Sequence, residues 1–68
     1  MPFRMVVKSV RKELSMSQEQ LARELKVSFS TVNRWENGKA NPSPMALEVF
    51  RAFCKEKNIM LEGGMEDD

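Results

Sequence analysis

Phe29, Ser30, Asn33 and Arg34 fall within the six-residue stretch FSTVNR. An aromatic ring, a hydroxyl, a carboxamide and a guanidinium fork offer an apolar contact, hydrogen-bond acceptors and several donors. Such groups recognise a partner; alone they do not drive acid–base chemistry. The 68-residue chain has no His and one Cys, Cys54, so no Cys–His or Ser–His pair can activate a nucleophile. Its carboxylates fall on helix faces that read as solvated, in a chain too short to enclose a large pocket. The chain is therefore read as not an enzyme, with no cofactor. The same composition argues against a structural zinc site.

The recognising residues need elements to position them, and those elements read as helices. Val7, Val10 and Leu14 recur at helical spacing with Phe3 one turn earlier, which predicts a first helix over 4–14. Leu21, Ala22 and Leu25 form the next apolar stripe. Its start is marked by Ser17 with Gln20 three residues on, a capping box, and by Met16 and Leu21 at the staple positions. The second helix is predicted at 18–25. The pattern then repeats, with Ser28 as cap and Val27 and Val32 at staple positions, giving a third helix over 29–36. Gly38 suits a left-handed residue after it. Ser43 followed by Pro44 starts a fourth helix, whose apolar face of Leu47, Phe50, Phe53 and Cys54 runs to about Lys57. Asn58–Leu61 has room for one further turn. No strand-like alternation occurs. The predicted fold is all-α, a four- to five-helix bundle, with one core cluster of Val10, Leu14, Leu21, Ala22, Leu25, Val27, Val32, Trp35, Phe50 and Phe53.

Only residues 26–28 separate the second helix from the third, which forces a sharp bend. Two helices, a tight turn and a capped second helix make a helix-turn-helix. The apolar positions where the helices lean together hold Leu21, Leu25, Val27, Val32 and Trp35, and the small one holds Ala22. Phe29, Ser30, Thr31, Asn33, Arg34 and Glu36 remain as an outward face of the third helix. A helix of this size fits the major groove of DNA and reads bases from its N-terminal half.

The segment SQEQLARELKVSFSTVNRWENGKANPS resembles the Cro and lambdoid phage repressor type of helix-turn-helix, the XRE family. The likeness spans roughly residues 4–57. Its set of S-Q-x-x-L-A, V-S, W-E-N-G-K and N-P-S is specific, although each piece alone would be weak. Two departures stand out. Lys26 occupies a turn position often held by Gly, where a left-handed backbone would cost about 1 kcal/mol relative to Gly. A fifth helix or extra domain for dimerisation has only Asn58–Glu62 to draw on.

The resemblance implies that Phe29, Ser30, Asn33 and Arg34 face base edges. Phe29 would touch a thymine methyl, and Arg34 would read guanine or contact phosphate. Asn33 would bond adenine or the backbone. Phosphate contacts are expected from Gln18, Ser28, Asn37, Lys39 and Arg11. Gln18 opens a helix, where free N–H groups and the dipole favour an anion. Ser28 also reads as a cap, and Asn37–Gly38 as a helix stop. Arg11 and Glu36 resemble a pair that links the first helix to the end of the third, worth about 0–1 kcal/mol if exposed. Trp35 reads as core, Cys54 as buried filler, the six Met as gap fillers, and Lys8, Lys12 and Lys26 as solvated charges.

Charge is unevenly placed. The net +1 of the chain hides all 11 Lys and Arg at or before Lys57 and four acids in the last seven residues. Residues 1–62 read as the DNA-binding domain and 63–68 as a flexible acidic tail not needed for folding. No apolar run is long enough for a membrane span, and no signal-peptide core is present. One Cys suits the cytoplasm. The expected function is sequence-specific binding of double-stranded DNA by a transcriptional regulator, as a weak homodimer on a two-fold operator. The alternatives are an antitoxin whose acidic tail meets a basic partner, and a protein-interaction module that kept the fold without DNA.

Overall fold

The computed structural model describes residues 2–61, so the expected tail lies outside the described residues. Four helices are present among them: α1 (Phe3–Glu13), α2 (Gln18–Leu25), α3 (Phe29–Glu36) and α4 (Pro44–Glu56). α1 starts one residue earlier than its apolar spacing predicts and ends one residue earlier. The bounds of α2 and α3 are those expected.

Three of the starts are fixed by serine. The Ser17 hydroxyl accepts the Gln20 backbone N–H at 3.0 Å, while the Gln20 Oε1 accepts the Ser17 N–H at 2.8 Å, closing the capping box. Ser28 accepts from Thr31 N–H and Ser43 from Ala46 N–H, both at 3.1 Å. Pro44 follows Ser43 at the first helical position, where a missing N–H costs nothing.

The ends share one device. Ser15, Lys26, Gly38 and Asn58 all adopt left-handed backbone, with φ of 56°, 61°, 73° and 61°. After each, the next N–H reaches back five residues: Met16 to Arg11, Val27 to Ala22, Lys39 to Arg34 and Ile59 to Cys54, at 2.8–3.0 Å. Only one of the four is glycine. At the other three, the residue that follows is apolar and packs against the core: Met16, Val27 and Ile59. That burial offsets the cost of about 1 kcal/mol for placing a side chain in this conformation. The Lys26 turn thus does not relax away from left-handed geometry. Asn58 reverses the chain instead of adding a helical turn, which brings Ile59 and Leu61 onto the core.

The core lies where the four helices meet. Val7, Leu21, Val32 and Phe50 are fully buried, with Val6, Val10, Ala22, Leu25, Trp35, Phe53 and Cys54 around them. Phe3 packs edge-to-face on both Trp35 and Phe50, with ring centroids 5.4 and 5.2 Å apart. Eight of the ten expected core residues are buried, while Leu14 and Val27 sit half-buried at its rim. Val6 joins the core one turn before Val10. Burial pushes the Cys54 thiol up to about 11, so it stays a neutral apolar filler.

Candidate nucleic-acid interface

α3 packs against both α1 and α2 along Val32 and Trp35, two residues on one helical stripe. This fixes its opposite side outward. Phe29 is about half exposed (51%), and Ser30 and Arg34 are exposed beside it. The Ser30 hydroxyl lies 3.2 Å from that of Ser28, which is held in turn by its cap to Thr31. Asn37 and Lys39 are exposed at the end of α3. Phe29, Ser30 and Arg34 thus share one outward strip, with Ser28 at its start and Asn37 and Lys39 beyond its end.

Glu36 does not belong to that outward side. Its side chain is 3% exposed, and it faces Arg11 of α1. Arg11 Nε donates to Glu36 Oε2 at 2.7 Å and Nη2 donates to Oε1 at 3.0 Å, a two-pronged pair. Nη1 of Arg11 donates to the Met16 carbonyl at 3.1 Å. The expected Arg11–Glu36 link is present, but it is largely buried rather than exposed. Burial pushes the Glu36 carboxyl up. Hydrogen bonds from Arg11 and Gln18 and the charges of Arg11 and Lys8 outweigh it, so the net shift is downward. Arg11 is raised by its hydrogen bond to Glu36, against its own desolvation and with the help of the Glu36 charge.

Glu36 had a legible signal. It lies four residues after Val32 and next to Trp35, on the core stripe of α3. Residue type argued for solvent, whereas periodicity argued for burial. The cation 25 residues earlier in the chain decided in favour of burial.

Three further expected contact residues, Gln18, Asn33 and Asn37, are drawn into the same network. Gln18 Nε2 donates to Glu36 Oε1, and Gln18 Oε1 accepts from Asn33 Nδ2, both at 3.0 Å. Asn33 Oδ1 accepts from Asn37 Nδ2 at 3.0 Å. Gln18 and Asn33 are half-buried, so both atoms of each carboxamide are engaged within the chain. Nothing in the sequence pattern joined Gln18 to Asn33, because they lie on different helices 15 residues apart.

A model of the helix-turn-helix family matches residues 7–50, from the first fully buried valine to Phe50. The chain belongs to the XRE-type helix-turn-helix family. No curated protein and no solved structure matches it. Family membership makes it a DNA-binding helix-turn-helix regulator domain of a kind that is not typically enzymatic. No helix among the described residues is long and apolar enough to cross a membrane. No group of three or more His, Cys, Asp or Glu among them is placed to hold a metal ion. In this helix-turn-helix the turn is Lys26–Ser28, and α3 occupies the second-helix position of the motif.

Proposed function

We propose that the chain is a sequence-specific transcriptional regulator of the cytoplasm that reads double-stranded DNA with α3 in the major groove. The exposed strip of Phe29, Ser30 and Arg34 on a short helix braced from behind by α1 and α2 carries this reading. Such a helix presents its N-terminal half to base edges. Arg34 forms two hydrogen bonds to guanine, Phe29 meets a thymine methyl, and Ser30 makes a short-range contact. Asn33 lies next to them on the helix. Around the strip, the N-terminus of α2 at Gln18, the Ser28 hydroxyl, Asn37 and Lys39 meet phosphates, with Arg11 braced behind Gln18.

One α3 spans about half a turn of groove, too little for strong sequence choice. The chain therefore acts as a two-fold dimer on half-sites about 10 base pairs apart. Met45 and Val49, exposed one turn apart on α4, support an apolar contact between copies in the region after α3. Selection of bound duplexes from a random pool tests the whole reading. A two-fold motif with fixed spacing is expected. If no sequence is enriched, the interaction-module reading takes its place.

A further inference from the structure

We propose that Glu36 sets the direction of the amide chain Gln18–Asn33–Asn37, and that Asn33 is a positioning residue for Gln18 rather than a reader of bases. A carboxamide can be turned either way, because its oxygen and nitrogen are nearly equal in size. A run of three such groups therefore has two self-consistent directions. The carboxylate of Glu36 removes the choice, since it only accepts, and Arg11, which only donates, holds it from the other side. Gln18 must turn Nε2 toward Glu36, at 3.0 Å. Its Oε1 then faces Asn33, where only Nδ2 can answer, at 3.0 Å. Asn33 is left with Oδ1 toward Asn37, which must donate, again at 3.0 Å. One buried charge thereby orients three side chains over a path from α1 to the end of α3.

The direction decides what faces outward. Gln18, Asn33 and Asn37 each keep one N–H outside the relay, and Asn37 also keeps its carbonyl oxygen. At Gln18 and Asn33, reversal would preserve the number of donors but move each to the other side of its amide. Gln18 is the first residue of α2, so its remaining N–H adds to the free backbone N–H groups there. A phosphate oxygen is the acceptor that suits them. Asn33 is held at both its carbonyl and its nitrogen, so its amide is not free to turn its edge toward adenine.

The consequence for DNA rests on the proposed function, and the experiment keeps the two apart. If the full chain enriches no duplex, the DNA reading fails by itself. Given an enriched duplex, Asn33→Ala is titrated against it and against each base substitution. Affinity is expected to fall about fivefold on every duplex, the worth of one hydrogen bond, with the order of base preference unchanged. Asn33→Ala added to Gln18→Ala is expected to cost nothing further, since the two act as one unit. Relaxed preference at one base pair, or losses that multiply, would overturn the proposal. Glu36→Gln tests direction: removing a negative charge should by itself tighten DNA binding, whereas a relay released from its orientation weakens the enriched duplex severalfold. In the free protein, the side-chain NH2 signals of Gln18, Asn33 and Asn37 are expected to shift together in that variant. Movement of the Gln18 signals alone would show that no direction is transmitted. Should Glu36→Gln not fold, the Asn33–Gln18 cycle still decides the positioning role.

Discussion

Arg34 and Lys39 are both exposed cations, yet their removal should be felt differently. Arg34 lies on the outward strip of α3, where its guanidinium fork fits the two acceptors of guanine. Arg34→Ala is expected to cost about 1–3 kcal/mol on the preferred duplex and to relax preference at one base pair. Lys39 follows α3 as a single charge, so Lys39→Ala should weaken all duplexes alike and lower the salt slope by about one. Phe29→Ala should lose preference at a T·A pair at constant slope, because no charge is removed. Titrations at two salt concentrations separate the three. Glu36 supplies a test that needs no DNA. Its folded pKa lies below the unfolded value of about 4.3, so its contribution to stability is complete above that pH. It is lost as the pH falls through the lower, folded value. Melting curves from neutral to acidic pH should therefore show a loss of stability below about pH 4 that is smaller in Glu36→Gln.

At the scale of the elements, the helix ends are the informative feature. Lys26 and Gly38 do the same work after the first and the second helix of the helix-turn-helix, one with a side chain and one without. Lys26→Gly removes a left-handed penalty at the cost of a looser unfolded chain. The expected net gain is about 0.5–1 kcal/mol, a rise of a few degrees in melting temperature for a domain this size. Gly38→Ala should lose about 1 kcal/mol. An added Cβ there would meet Arg4 Cδ at 3.3 Å, and that flexible stem can move aside, so the cost comes from the φ of +73°. Thermal melts of both variants check the pair, and opposite signs are the expected result.

For the molecule as a whole, stability rests on a small core. Domains of this length are stable by about 3–10 kcal/mol. Trp35 is 3% exposed, carries the Phe3 contact and joins α3 to α1. Trp35→Ala should cost about 3–5 kcal/mol, enough to leave much of the population unfolded at room temperature. Denaturant titration followed by helix signal measures it. The dimer is expected to be weak in solution and to form on DNA, since the exposed apolar surface on α4 centres on two side chains, Met45 and Val49. Sedimentation should show monomer at micromolar concentration, and a duplex with two half-sites should bind with a steeper titration than one with a single half-site.

What the sequence determined by itself was local. Ser17, Ser28 and Ser43 cap through bonds to the third residue on, so cap and helix start are written within four residues. The stripes that place Val10, Leu21, Val32 and Phe50 inside follow from helical spacing alone. With three residues between α2 and α3, the bend was also fixed, and with it the exposure of Phe29, Ser30 and Arg34, although not the inward turn of Glu36. The tertiary structure decided what depends on pairs far apart in the chain. Glu36 turns inward because Arg11, 25 residues away, supplies the charge that makes burial tolerable. Asn33 is held because α2 and α3 cross where Gln18 can reach it. Left-handed backbone at Ser15 and Asn58 was hidden for the same reason: the residue type disfavours it, and only burial of the following Met16 and Ile59 against other helices offsets the cost.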